Sequence, residues 1–290
     1  MLEILDKFRA EKDILLGVCS ASKMDWLIPM LQETQTPFVS RDIERRINPH
    51  AIMPSAKSII VIGLGGRAAP PKPADSAARG RLAGIAANKD YHRIVRALLE
   101  ELVARLSNEQ IFEYKIFTDT GYLNERALAV QAGLGFIGKN GSIISNKFGS
   151  FFNIGYMLID TLLSQNKSVA HSTCGDCQRC ISACPGRALE NGLDARKCIS
   201  YITQKKDMPT AEESYIMGNW LYGCDICQDV CPFNSSVERC SVEAAYPLLA
   251  DCVDITNSEF EGRYSESSLY WRGVEIFKRN ATIAVKNCIS

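Results

Sequence analysis

The 290-residue sequence has no surplus of charge of either sign, because 33 Lys and Arg stand against 33 Asp and Glu. That excludes a globally basic coat for nucleic acid and leaves only a local basic patch open. No apolar run reaches the ~18 residues a membrane span needs, so no membrane partner is expected. An apolar leader is also missing: Glu3, Asp6, Lys7 and Arg9 break up residues 1–10, and the stretch does not read as a signal peptide. Hydrophobic residues at 46% and charged residues at 23% exclude disorder, collagen and coiled coil as the main character. The length suits one large domain or two ordinary ones.

Cysteine is what the sequence has in abundance. There are 12, eight of them between Cys174 and Cys231, and only Cys19 precedes that window. A secreted disulfide scaffold would be short and would carry a leader. A cytoplasmic protein with thiolates on metal is the better expectation. The first run is Cys174-x2-Cys177-x2-Cys180-x3-Cys184-Pro185, and the second is Cys224-x2-Cys227-x3-Cys231-Pro232. The first matches the bacterial pattern for a [4Fe–4S] cluster, in which three thiolates hold one cube and the fourth, before proline, holds the other. By that crossing rule Cys174, Cys177, Cys180 and Cys231 hold cluster one. Cys184, Cys224 and Cys227 join on cluster two, which is then one ligand short. Leu221 stands where a full second run would have cysteine, and Cys198 fills the gap. Zinc also uses CxxC pairs, but the repeated CxxxCP ending favours iron and sulfide. The isolated Cys19, Cys240, Cys252 and Cys288 read as buried structural thiols.

Periodicity predicts a helix over residues 2–16, a buried strand at Ser58–Leu64 and a loop at Pro70–Asp75. It then predicts a helix over 90–106, a strand at 111–117, a helix over 123–131 stopping at Gly133, and a strand at 151–159. This alternation suggests α/β layers. The character changes around His171, and a helix is expected over 271–287. The expected fold class is α+β: residues 1–165 form an α/β domain for cofactor and substrate, 166–240 a ferredoxin-like double-cluster domain, and 241–290 a C-terminal helical segment. Two glycine motifs, Gly63–Ala68 and Gly133–Gly138, lack the strand-turn-helix context of a dinucleotide site. Two clusters move electrons singly, and a bare ferredoxin needs only ~60 residues. The roughly 170 residues before the first cluster ligand should therefore hold whatever accepts the electrons.

Three blocks carry a family resemblance: DTGYLNERALAVQAGLGFIGKNGSIISNKFGS (119–150), LDARKCISYIT (193–203) and YGCDICQDVCPFN (222–234), with a weaker echo in FKRNATIAVKN (277–287). The sequence resembles the cobalamin-dependent tRNA epoxyqueuosine reductases, here as a short form without most of their C-terminal helical repeat domain. The resemblance implies a nitroreductase-like corrinoid domain, two [4Fe–4S] clusters and reduction of the epoxide of epoxyqueuosine in tRNA to the alkene of queuosine. It implies that Asp119 donates a proton to the epoxide oxygen and contacts the cofactor, with corrinoid contacts also at Arg46, Ile143, Ile154, Ser200, Asp225 and Ile226. It leaves the lower cobalt face without a histidine, and Asp90-Tyr91-His92 is accordingly read as a helix start. The residues alone place Asp119 at a strand end before a Thr-Gly turn, where a carboxyl group is either exposed for chemistry or a helix cap. Tyr122 stands where the family usually has proline, and Gly65-Gly66 replaces an asparagine–tyrosine pair. The pairs Arg79 and Arg81, Lys205 and Lys206, and Lys278 and Arg279 are candidates for phosphate contacts or plain surface charge. Expected partners are tRNA and a low-potential electron donor, and the chain is expected to be a cytoplasmic monomer. Two other readings are a corrinoid reductase of small molecules and a non-catalytic electron-transfer protein.

Overall fold

The computed structural model describes residues 1–33, 37–164 and 173–289. The expected boundary at 165 and 166 and the change at His171 lie outside the described residues. The chain forms two compact units: residues 1–65 with 92–177, and residues 66–91 with 178–290.

The first unit is built on a four-stranded sheet. Its strands are β1 (Leu15–Ser20), β2 (Ser58–Gly65), β3 (Tyr114–Phe117) and β4 (Phe152–Ile159), in the spatial order β1-β2-β4-β3. Every pairing is antiparallel, so the alternation of strands and helices does not build a parallel sheet and the unit is mixed α/β. Strand β2 is central, and Ile59, Ile60, Val61 and Ile62 are all buried; the unbroken apolar run therefore reflects cover on both faces. Helix α1 spans Leu2–Lys12 and ends on Asp13 in the left-handed conformation. The helical pattern predicted to residue 16 stops there, because Leu15 and Leu16 instead pair with Gly63 and Ile62. Helix α2, Tyr91–Ser107, buries Val95, Leu99, Leu102, Val103 and Leu106. It approaches β4 so closely that a Cβ on Gly155 would sit 2.2 Å from Val95 Cγ1. Helix α3, Glu125–Gln131, adds Ala127, Leu128 and Ala129 to a core shared with Ile59, Val61, Tyr156 and Leu158.

In the second unit the two-residue strand Arg81–Leu82 runs parallel to Trp220–Tyr222. A core of Leu82, Leu221, Leu249, Phe260, Phe277 and Ala281 surrounds the C-terminal helix Val274–Ile289. That helix is tied down through buried polar groups: Asn280 Nδ2 donates to the Thr203 and Leu221 carbonyls at 2.7 and 2.8 Å. Asn287 does the same for Ser214 and Gly218. These bonds give the polar residues of the 277–287 block a structural use. Cys19 and Cys252 are buried as expected, but Cys240 is half-buried and Cys288 is exposed. Cys288 falls in the final helical turn, beyond the last core position at Ala284. Among the described residues no helix is long and apolar enough to cross a membrane.

Candidate functional site

Strand β3 ends at Phe117 and helix α3 starts at Glu125, and Asp119 lies on the turn between them. The helix cap is Asn124, whose Oδ1 accepts the Ala127 N–H at 3.1 Å. Asp119 is thus not the cap. Its φ is +58°, a left-handed conformation uncommon outside glycine. Its side chain is 63% exposed and stands 3.4 Å from His92 Nε2. Glu125 Oε1 accepts the Asp119 N–H at 2.7 Å. Burial, and then the charge of Asp119, push the Glu125 carboxyl up to about 8, against the partial offset of that N–H, Arg126 and His92. The Tyr156 ring stacks on Phe117 at 5.1 Å across the strand pair. Its buried hydroxyl makes no hydrogen bond of ordinary geometry, with the Leu123 backbone N–H lying in its direction. Burial and Glu125 both raise its pKa.

The Asn124 N–H donates to the Arg46 carbonyl at 3.1 Å and so ties the Arg46 segment to this turn. The half-buried Arg46 guanidinium has its pKa lowered by burial and then by Arg126. Two guanidinium groups near each other favour an anionic or electron-rich occupant. Next to Arg46, Arg45 stacks on Tyr122 at 4.8 Å. Asp119 was legible in the sequence, whereas Glu125, Tyr156, Arg126 and the placement of His92 were not. Glu125 and Arg126 carried no signal beyond the 119–150 block, His92 none beyond the start of a helix, and Tyr156 none beyond the predicted 151–159 strand.

No disulfide joins the twelve cysteines. The second unit brings together Cys184, Cys198, Cys224 and Cys227. Burial raises Cys198, with the charge of Cys184 adding to it. Burial raises Cys224 well above the usual thiol range, with Cys198 and Cys227 adding. Cys227 is pushed up to about 12 by burial first and then by Cys198, Asp225, Cys184 and Cys180. Among the described residues no three His, Cys, Asp or Glu side chains converge on one metal ion. Buried thiols that hinder one another's ionisation need a cationic partner before they become ligands, and iron supplies it. Backbone N–H groups are already aimed at these sulfurs, from Ser200 and Tyr201 to Cys198, Ile226 to Cys224, and Ala188 to Cys184 at 3.4 Å. Such bonds are a lever on cluster potential.

Of the first-cluster set, Cys174 and Cys177 belong to the first unit and Cys180 and Cys231 to the second. Lys139, which the sequence did not single out, donates its N–H to Cys174 Sγ at 3.4 Å. Its Nζ donates to the Gly175 and Cys177 carbonyls at 2.8 and 3.0 Å. The expected corrinoid contacts divide likewise. In the first unit Ile143 and Ile154 share one buried core. In the second, Ser200 Oγ is 3.2 Å from Gln204 Nε2. Asp225 is buried, accepts the Gly84 N–H at 2.6 Å and is raised to about 6, first by burial. Ile226 packs with Ile199, Ile202 and Trp220. Most of the candidate phosphate contacts have structural partners. Arg79 holds Asp75 and the Tyr246 carbonyl. Arg81 holds Asp229 and stacks on Trp220 at 4.1 Å. Lys205 holds Glu213, and Arg279 holds the carbonyls of Lys205 and Asp207.

Comparison with known proteins agrees with both halves of this description. Residues 173–234 match a family model described as a 4Fe-4S double cluster binding domain, and residues 46–120 match one described as epoxyqueuosine reductase QueG. An epoxyqueuosine reductase from Bacillus cereus is 37% identical over 291 residues, covering 93% of this chain and 76% of the relative. A solved epoxyqueuosine reductase from Streptococcus thermophilus superposes with a TM-score of 0.92 at 34% identity, covering 100% of this chain and 81% of that one. A crystal structure of epoxyqueuosine reductase with an epoxyqueuosine-modified tRNA-Tyr stem loop superposes with a TM-score of 0.91 at 32% identity, over 99% of this chain and 80% of that one. The chain belongs to the epoxyqueuosine reductase family of oxidoreductases.

Proposed function

We propose that this chain reduces epoxyqueuosine in tRNA to queuosine, with cobalamin and two [4Fe–4S] clusters as cofactors and Asp119 as the proton donor. The observation that carries the proposal is the Asp119 turn. An exposed carboxyl group is presented on a left-handed backbone, its amide held by Glu125 and its side chain beside His92, with the Arg46 carbonyl tied to the same turn through the Asn124 N–H. Removing an epoxide oxygen to leave an alkene consumes two electrons and two protons and releases water. The corrinoid, when bound, supplies the electron pair at carbon, replenished one electron at a time from the clusters. The chain's part is proton delivery and orientation. Asp119 protonates the ring oxygen as its C–O bond opens, and its exposure lets it recover a proton from solvent for the departing water. His92 orients the Asp119 carboxyl group, and Arg46 with Arg126 favours electron-rich groups beside it.

Cys174, Cys177, Cys180 and Cys231 hold one cluster in this proposal, and Cys184, Cys198, Cys224 and Cys227 the other. Arg46, Asp119, Ile143, Ile154, Ser200, Asp225 and Ile226 contact the corrinoid, in a nitroreductase-like domain joined to a ferredoxin-like one. The protein works in the cytoplasm as a monomer, on tRNA and with a low-potential electron donor. The test is nucleoside analysis of epoxyqueuosine-containing tRNA after anaerobic incubation with the protein, cobalamin and a low-potential reductant. Queuosine is expected from the wild type, and Asp119→Asn should keep its iron and corrinoid absorption while losing turnover. Unchanged epoxyqueuosine with intact wild-type clusters would reject the proposal.

A further inference from the structure

One acid beside the Asp119 turn has no part in the proton delivery described above. Glu125 is half-buried at the first position of α3, and its Oε1 receives the Asp119 N–H at 2.7 Å. The turn needs such a clasp. Asp119 holds a left-handed backbone conformation that a side chain disfavours, and its own side chain is turned to solvent and His92 rather than to the turn. The next amide, Thr120 N–H, is already taken by the Thr118 carbonyl at 2.6 Å. On the same side the Tyr156 hydroxyl lies so close under the turn that a Cβ on Gly121 would be 2.2 Å from it.

We infer that Glu125 is a positioning residue for Asp119: one carboxyl oxygen holds the Asp119 amide and thereby fixes where the Asp119 side chain delivers its proton. The inference rests on the proposed reduction of epoxyqueuosine, because only that reaction gives Asp119 an oxygen to serve.

The surroundings of Glu125 favour its uncharged form. The groups facing Glu125 are Asp119 on the turn, His92 at the start of α2, Tyr156 on β4 and Arg126 on its own helix, with the Asp119 N–H. Arg126 is the permanent cation in that set, and it is near Arg46 as well. Burial and Asp119 outweigh it, and the acid keeps its proton up to about pH 8. An ionised Glu125 would set a second negative charge next to an oxygen that is gaining electron density. A neutral carboxyl group keeps the acceptor for the Asp119 amide without that charge. Glu125 neither gains nor loses a proton in the cycle.

Two substitutions separate clasp from charge. Glu125→Gln keeps a carbonyl acceptor and removes the ionisation. Glu125→Leu removes both at similar volume. With holoenzyme and an epoxyqueuosine-modified stem-loop RNA, wild-type kcat should fall above about pH 8. Glu125→Gln should stay within roughly threefold of wild type at pH 7 and lose that alkaline decline. Glu125→Leu should lower kcat by about 10²-fold with KM for the RNA unchanged, the cost of a displaced catalytic group. Amide hydrogen exchange of the 118–122 segment gives a second readout without turnover: faster in Glu125→Leu and unchanged in Glu125→Gln. An unaltered alkaline decline in Glu125→Gln, or wild-type exchange and kcat in Glu125→Leu, overturns the inference. If Glu125→Leu does not fold, the pH profile and exchange of Glu125→Gln decide. A wild type that leaves epoxyqueuosine unchanged rejects the proposed function instead, and the exchange comparison still judges the clasp.

Discussion

The tightest contact under the Asp119 turn makes Gly121→Ala an informative perturbation. The added Cβ would lie 2.2 Å from Tyr156 Oη, 3.0 Å from Tyr156 Cζ and 3.1 Å from Phe117 Cβ. Ordinary contact begins near 3.4 Å, so the pair must separate by about 1 Å. The Tyr156 ring has little room to yield. It is 0% exposed, stacked on Phe117 and backed by the shared core of β2 and α3. The turn is the part that moves, and Asp119, two residues away, moves with it. Overpacking of this kind costs about 1–3 kcal/mol. With Asp119 as the proposed proton donor, a displacement of about 1 Å should lower the chemical step by ~10²-fold. Single-turnover conversion of an epoxyqueuosine-modified stem loop by pre-reduced holoenzyme reads the second quantity, and thermal unfolding reads the first. Gly262→Ala is the control. That glycine is exposed inside the helix Asn257–Tyr264 with nothing within 4 Å of its added Cβ, so the change should stabilise by about 0.5–1 kcal/mol and leave the rate alone. A Gly121→Ala protein that folds and turns over within twofold of wild type would refute the placement of Tyr156 beneath the turn.

Three further outcomes are expected. Cys198→Ala should lower bound iron from eight to four atoms per chain, since a double [4Fe-4S] domain holds two cubes of four, whereas alanine at the buried Cys19 should leave all eight; elemental analysis after anaerobic reconstitution distinguishes them. Lys139→Met should lower the midpoint potential of one cluster by ~40 mV, equivalent to about 1 kcal/mol for one electron, because it removes a positive charge held to the Gly175 and Cys177 carbonyls; an EPR-monitored redox titration measures it. The folded pKa of Glu125 is raised from 4.5 to about 8, so its contribution to stability is full below pH 4.5 and is lost as pH rises through 8. The unfolding free energy of the wild type, read from urea titrations, should therefore fall between pH 5 and 8, by about a few kcal/mol at most, and more steeply than that of Glu125→Gln.

The cysteine centre was legible because spacing along the chain is itself the chemistry. Short loops between Cys174, Cys177, Cys180 and Cys184 are local, and local geometry survives folding. Cys198 was reached by counting ligands, and the second unit does gather it with Cys184, Cys224 and Cys227. The β1 strand was hidden, since the apolar spacing of residues 2–16 fits a helix until tertiary pairing with Ser58–Gly63 claims Leu15 onward. Likewise no periodicity announces that Arg81–Leu82, a strand of two residues, pairs with Trp220–Tyr222 nearly 140 positions later. The supports of Asp119 were illegible for the same reason. Tyr156 comes under the turn only because β4 lies antiparallel to β3 with Phe117 opposite Tyr156, and His92 arrives from the start of α2. Residues that meet through sheet register leave no pattern in a single sequence.

The cost of this arrangement is concentrated where the proposed chemistry happens. Among the described residues three non-glycine positions have φ in the left-handed region: Asp13, Asp119 and Arg187. Asp13 closes α1, a place where that conformation is ordinary. Arg187 follows the Cys184-Pro185-Gly186 corner of the cluster loops. Asp119 has neither excuse, and within one turn of it lie a half-buried acid and a buried phenol hydroxyl without an ordinary hydrogen bond. Each such group costs about 1–3 kcal/mol, and an apolar filling of the same volume would remove that cost. Apolar side chains fill the rest of that core, from Ile59 and Val61 to Leu128 and Leu158. The polarity beneath Asp119 is therefore not a packing solution for the sheet. It destabilises the fold at one place, and what that place gains is an exposed carboxyl group on a clasped turn, beside an imidazole.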